Sequence, residues 1–207
     1  MAGTPEDCPY VTRGGMKLKH ALDELELDVK DMTAADYGCH QGGFTDCLLQ
    51  EGADPVFPVD TAYGILEWVL RIDARVGVLE RTNAMHLKMP ELMDLVVCDV
   101  GWTRQRHILP AALRNTKPEG HILSLFKPQY EAPDELVHNG MVAEEDFDDV
   151  LRDTLEELTG LGLHIDHVID LPQRRKSTNR EAFLHLRPSE CELIPEAEPE
   201  LDLKPYE

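Results

Sequence analysis

The chain is short of positive charge, short of aromatic side chains and free of long apolar runs. Its 207 residues hold 20 Lys and Arg against 40 Asp and Glu, and aromatics make up 6%. An acidic excess of this size argues at face value against nucleic acid, because phosphate contacts need Lys and Arg. No apolar stretch approaches the roughly 18–20 residues of a membrane span, so a membrane partner is not expected. The opening residues MAGTPEDCPY lack the charged-then-apolar layout of a secretion signal, which makes the cytoplasm the expected location. Five cysteines, Cys8, Cys39, Cys47, Cys98 and Cys191, form no CxxC pair. Their odd number and spacing point to reduced thiols, away from a disulfide framework or a zinc site. The nine histidines are scattered without HExxH or similar spacing, and no metal is expected.

The distribution of charge weakens the case against nucleic acid. Residues 131–162 hold eleven Asp or Glu and one Arg, and residues 189–207 hold seven acids and one Lys. These two segments carry most of the net charge of −20, and the rest is close to neutral. Residues 163–188, which include QRRKSTNRE, are net basic. The acidic helix reads as a solvated face that aids solubility.

From residue 33 onward, short apolar runs alternate with helical patterns. Strands are predicted at 33–38, 55–60, 75–80, 94–100, 121–127, 163–171 and 181–187. Helical patterns lie at 43–52, 64–71, 104–116 and 143–161. The last places Val150, Leu151, Thr154, Leu155 and Leu158 on one stripe. Strands separated by helices imply parallel βαβ units and an α/β doubly wound sheet. Only a short loop separates the last two strands, which makes that pair most simply antiparallel. Before the sheet, GGMKLKHALDELEL reads as one amphipathic helix. Residues 1–188 are therefore expected to form one domain, and the proline-bearing acidic tail 189–207 to be flexible.

The stretch AADYGCHQGGFTDCLL follows the first strand and opens a helix. Gly38, Gly42 and Gly43 permit a tight turn and a close ligand approach at a helix N-terminus. The spacing is neither that of a dinucleotide fingerprint nor that of a P-loop. Asp60, ending the second strand, stands where a carboxylate would bond both hydroxyls of an adenosine ribose. Asp36, ending the first strand, fits a methyltransferase that binds S-adenosyl-L-methionine better than a dehydrogenase.

The other polar residues of interest also sit at strand ends, the rim where doubly wound folds bind ligands. Asp99 follows LVVC, Lys127 follows ILSLF, and Glu181 opens the last strand. An antiparallel last strand starts at the rim where its parallel neighbours end, so the three share one edge. Lys17, on the N-terminal helix, could cap it. A lysine at the end of a core strand costs desolvation free energy. The two carboxylates would offset that cost for Lys127, and such a cluster lets a lysine act as a base toward a ribose hydroxyl. Methyl transfer to that oxygen is a direct displacement in which geometry supplies most of the catalysis.

YVTRGGMKLKHAL, DYGCHQGGFTDCLLQEGA, VDTAYGIL, VLERTNA, FKPQYE and NREAFLHLR resemble the successive motifs of TlyA-type ribosomal RNA methyltransferases. These belong to the wider FtsJ-like class of 2′-O-methyltransferases. The resemblance runs from about Tyr10 to Arg187. It implies a Rossmann-like class I methyltransferase with a seven-stranded sheet and an antiparallel last strand. It further implies a Lys-Asp-Lys-Glu tetrad of Lys17, Asp99, Lys127 and Glu181. In that tetrad Lys127 is the base, Asp99 and Glu181 tune it, and Lys17 helps hold the ribose. For S-adenosyl-L-methionine it implies Gly38, Gly42, Gly43, Phe44 and Thr45, with Asp60 on the ribose and Asn83 near the adenine. RNA phosphates would meet Arg13, Lys17, Arg104, Arg106, Arg174, Arg175 and Lys176. TlyA-type enzymes usually carry a small RNA-binding domain before the RGG motif, whereas here that motif stands almost at the start. They also have small residues where Cys39, His40 and Gln41 stand, and Ser-Phe where Gly101 and Trp102 stand. A methyltransferase of a small molecule or protein, or a non-catalytic binding module, would use the same fold.

Overall fold

The computed structural model describes residues 8–172 and 178–192. Seven strands form one sheet: β1 (Ala34–Tyr37), β2 (Val56–Asp60), β3 (Leu79–Glu80), β4 (Met93–Cys98), β5 (Thr116–Phe126), β6 (His167–Asp170) and β7 (Ala182–Leu186). Their order is β3-β2-β1-β4-β5-β7-β6. β7 runs antiparallel to both β5 and β6, and the remaining pairs are parallel. The chain reverses direction through the sheet between β1 and β4. That crossover, outside the carboxyl ends of the strands, is where such sheets form their ligand crevice.

The central strands are apolar on both faces because helices cover both. Along β4 and its neighbours the side chains alternate. Leu95, Val97, Leu123 and Phe183 point into a core shared with Leu18, Leu22, Phe44 and Leu48. Val96, Cys98, Ile122 and Leu184 point into the opposite core with Ile108, Leu109, Phe147 and Leu158. Burying each such Leu or Phe contributes about 1.5–3 kcal/mol.

The first core is roofed by α1 (Gly14–Glu24), α2 (Gly43–Gln50) and the short α3 (Trp68–Arg71). The second is roofed by α4 (Gln105–Asn115), α5 (Pro128–Glu131) and α6 (Phe147–Gly160). α1 buries Leu18, Ala21 and Leu22 and leaves Lys17 at its edge. At Gly15 the Tyr10 ring occupies the place of a side chain, 2.4 Å from where a Cβ would stand. α6 buries Phe147, Val150, Thr154 and Leu158 and turns its acids outward. Asp148 and Asp149 lie in its first turn, where carboxylates complement the helix dipole.

Five elements differ from the sequence reading, and two of them are only shorter: the helix expected at 64–71 is Trp68–Arg71 and the strand expected at 163–171 is His167–Asp170. The strand predicted at 75–80 is reduced to Leu79–Glu80 and one bridge, Val56 to Val76. Between them Gly77 lies on the Phe57 ring, 2.6 Å from a would-be Cβ. β5 starts five residues early, directly after α4, with an irregular register opposite Met93 and Leu95. VHNGMV, assigned to no element from sequence, forms a two-stranded hairpin, Val137–His138 with Met141–Val142. Both Asn139 and Gly140 take positive φ in its turn. Residues 188–192 pack on the body, where Cys191 Sγ accepts from the His164 amide and Glu192 N donates to Gly162 O. Residues 193–207 of the expected tail lie outside the described residues.

Candidate active site

A cavity of about 970 Å³ opens at the rim where β1, β4 and β5 end and β7 begins. A smaller one of about 260 Å³ adjoins it over the ends of β2 and β3, and the two share Gly38, His40 and Asp99. Gly38 sits at the crossing point with φ of +85°, and a Cβ there would stand 2.6 Å from the Asp99 carbonyl oxygen. Only glycine allows β1 to turn this close to the end of β4.

All four expected tetrad residues line the large cavity. The Lys127 ammonium rests against Asp99 Oδ1 and reaches the Val100 carbonyl at 3.4 Å. That carboxylate oxygen is shielded from water and makes an ionic contact without hydrogen-bond alignment. Glu181 pairs with Lys17 at 2.5 Å. This corrects the expectation that Asp99 and Glu181 both contact Lys127. The antiparallel entry of β7 aims Glu181 at α1, so the cluster is two lysine–carboxylate pairs.

The backbone of Lys127 is fixed from both sides. Gln105, the first residue of α4, donates from its amide to the Leu125 carbonyl and accepts from Ser124 Oγ, both on β5. Its backbone N–H donates to Glu131, four residues beyond Lys127. Burial pushes the Glu131 carboxyl up to about 7. The opposite wall is the hairpin, stapled by Asn179, whose Oδ1 accepts from Val142 N while Nδ2 donates to Gly140 O. Asn179 and Met141 both line the cavity. The Asn-Gly turn signal in VHNGMV could have revealed this wall from sequence.

In the glycine loop, Gly43 and Phe44 line the cavity, and Phe44 packs on Phe183 with ring centroids 5.7 Å apart. Gly42 and Thr45 border neither cavity. Gly42, with φ of +98°, lets α2 pack on Leu66 and Leu70. Thr45 donates from both its amide and its hydroxyl to Asp36 Oδ2, at 2.9 and 2.7 Å. Asp36 is fully buried and lines the cavity, and its Oδ1 has no partner among the described residues. Burial, reinforced by the charges of Asp99 and Asp60 against the opposing pull of Thr45, raises its carboxyl to about 7. Such a site favours a cationic ligand that restores the ionised form.

Asp60 and Asn83 line the smaller cavity. Asp60 accepts from His40 N at 2.9 Å and Ala62 N at 2.8 Å, one bond on each oxygen, which leaves a second lone pair on each. Asn83 accepts from Met85 N and caps a short turn.

The expected phosphate contacts fare unequally. Arg13 lines the large cavity. Arg104 immediately precedes α4 and borders neither cavity. Arg106 borders neither cavity, and its guanidinium donates to Glu157 of α6 at 2.6 Å. Arg174, Arg175 and Lys176 lie outside the described residues. Both flanks of that segment, Pro172 and Thr178, border the cavity. Trp102, held at φ of +59°, is 91% exposed and lies 5.5 Å from the Tyr130 ring, which Lys127 Nζ approaches to 5.7 Å.

The model of the FtsJ-like methyltransferase family matches residues 10–188. The chain belongs to that family. It is 37% identical over 194 residues to the 16S/23S rRNA (cytidine-2′-O)-methyltransferase TlyA of Mycobacterium tuberculosis, covering 89% of this chain and 70% of TlyA. A Bacillus subtilis protein carrying the rRNA methyltransferase name YqxC is 43% identical over 135 residues. That match covers 62% of this chain and 47% of YqxC, so the chain spans about half the length of that relative. A solved chain from Streptococcus thermophilus carrying a hemolysin name superposes with a TM-score of 0.82 at 34% identity, over 89% of this chain and 69% of that one. No helix among the described residues is long and apolar enough to cross a membrane.

Proposed function

We propose that the chain transfers a methyl group from S-adenosyl-L-methionine to the 2′-hydroxyl of a ribose in ribosomal RNA. The observation that carries this reading is the pair of lysine–carboxylate contacts, Lys127 with Asp99 and Lys17 with Glu181, on one cavity rim. When bound, S-adenosyl-L-methionine supplies an electrophilic methyl group on a sulfonium and departs as a neutral thioether. Asp36 and Asp60 suit its two polar ends. Asp36 offers a buried unpartnered oxygen for an ammonium, and Asp60 offers a pre-oriented carboxylate for ribose hydroxyls. Gly38 and Gly43 open the wall between them, Phe44 packs behind it, and Asn83 stands beside the adenine end. Gly42 and Thr45 act from behind, by shaping the turn and holding Asp36.

Lys127 acts as the neutral amine: its ammonium first gives a proton to water, and the amine then takes the proton of the 2′-hydroxyl as that oxygen attacks the methyl carbon and the carbon–sulfur bond breaks. Asp99 compensates the charge gained on Lys127. Glu181 holds Lys17, which orients the ribose, so its influence on the base is indirect. Arg13 is positioned for a phosphate of the target, and the exposed Trp102 offers a face on which an unpaired base can stack. Labelled methyl transfer to unmodified 16S and 23S transcripts, with ribose methylation mapped by primer extension, tests the reading. Label on a base, or transfer only to small molecules or proteins, overturns it.

A further inference from the structure

Among the described residues, four buried side-chain oxygens lack a hydrogen-bond partner: Asp36 Oδ1, Tyr37 Oη, Asp99 Oδ1 and Gln129 Oε1. Three of them belong to residues lining the large cavity. Asp36 and Asp99 are accounted for by a cationic ligand and by Lys127. Gln129 is not. A buried carbonyl oxygen without a donor is destabilising, so a ligand that supplies a donor is favoured over one that does not.

Gln129 is two residues from Lys127 on α5, whose ends are fixed by Lys127 and by the Glu131 bond to Gln105. Its backbone therefore sits on a rigid element beside the proposed base, and its side chain lines the cavity. An amide offers one acceptor and two donors side by side. An unpaired base bearing an exocyclic amine next to a ring nitrogen offers the complement, a donor beside an acceptor. On the Watson–Crick edge cytosine and adenine have this pair, whereas guanine there sets its amine beside a ring N–H. With the amide in the orientation that leaves Oε1 unpartnered, uracil places a carbonyl oxygen where the amine should be.

We infer that Gln129 selects the target nucleotide by accepting a hydrogen bond from the exocyclic amine of an amino-bearing base, cytosine or adenine, in the large cavity. The inference rests on the proposed methyl transfer to RNA and names a residue that sets its substrate.

The test uses the full chain, S-adenosyl-L-methionine and unmodified 16S and 23S transcripts, with nuclease digestion and mass spectrometry of the 2′-O-methylated nucleosides. Wild type should yield methylated cytidine or adenosine. Gln129→Leu, which removes both halves of the amide, should lower the ratio of these products to methylated uridine and guanosine by roughly tenfold or more. Gln129→Glu keeps an acceptor for the amine and should preserve the preference, which guards against a misfolded Leu variant. Calorimetric titration with S-adenosyl-L-methionine should give the same affinity for all three proteins. A wild-type product that is mainly methylated uridine or guanosine overturns the inference. So does an unchanged product ratio in Gln129→Leu, or weakened cofactor affinity, which would place Gln129 in the cofactor site. A wild type that labels no RNA removes the underlying function as well, which distinguishes that failure from the others.

Discussion

Lys127 and Asp99 meet across the ends of adjacent parallel strands, β5 and β4, with the lysine side chain 15% and the aspartate side chain 28% exposed. Two charges in this setting are close enough to couple and shielded enough for the coupling to matter. If Lys127 is the base, Lys127→Ala should lower methyl transfer by about a hundredfold or more, the usual range for a positioned general base. Affinity for S-adenosyl-L-methionine, measured by calorimetry, should stay unchanged. Asp99→Asn should follow the same pattern with a smaller loss. A full rate in Lys127→Ala would remove the lysine-base mechanism.

Asp36 supplies a test that needs no RNA. Its buried carboxyl titrates near 7 in the folded chain against 3.8 ordinarily. The folded state thus holds a proton that the unfolded state has released, and the penalty grows as pH rises from 3.8 and is complete above 7. Asp36→Asn should therefore melt at a higher temperature than wild type above pH 7 and bind S-adenosyl-L-methionine more weakly. Wild-type affinity for the cofactor should rise as pH passes through 7, because the ammonium prefers the ionised carboxylate. A melting temperature lowered by the substitution at alkaline pH would contradict this account.

Much of the site was legible in the sequence because strand ends share a rim in a parallel sheet. An apolar run followed at once by Asp99 or Lys127 locates each residue without coordinates. The antiparallel last strand was legible from its short connection, and it brought Glu181 to the same edge. What the pattern could not supply was pairing. Whether Glu181 reaches Lys127 or Lys17 depends on how α1 lies over the sheet, a tertiary matter with no local signal. The hairpin at 137–142 carried an Asn-Gly signal that is easily lost inside an acidic stretch. The first half of β5 was hidden because Pro118 and Gly120 lie within it, and both residues ordinarily speak against a strand.

Arg106 shows the same limit from the other side. The sequence reading sets it against an RNA phosphate, and in the fold its guanidinium donates to Glu157, 51 residues away. Arg106→Ala should leave RNA affinity and its salt dependence unchanged in filter binding. It should cost about 0.5 kcal/mol of stability or less, because both partners are more than one-third exposed. Arg13→Ala should instead weaken RNA binding and flatten its dependence on salt. A drop in RNA affinity for Arg106→Ala equal to that of Arg13→Ala would restore Arg106 to the interface.

His185 lies between two other histidines on neighbouring strands, far from the rim. His121 Nδ1 is 3.0 Å from its Nε2, and His167 Nδ1 is 3.3 Å from its Nδ1. Each link needs one donor and one acceptor, and either a neutral or a doubly donating His185 can supply its share, so the cost of an added proton lies in burial and in the neighbouring positive charges. Asp166, itself bound by Arg187, opposes the effect, while His121, His167 and Arg187 add to it. Burial is the main cause, and it depresses His185 from 6.5 to about 4. The unfolded chain therefore binds this proton first. Stability from keeping His185 buried and neutral is complete above pH 6.5 and lost as pH falls through 4, on the order of 3 kcal/mol at most. His121 is lowered as well and acts in the same direction. Calorimetric melting of wild type between pH 6.5 and 4 should show this fall. His185→Phe, which keeps a ring between the other two, should lose most of the slope, and an unaltered slope would assign the acid sensitivity to other groups.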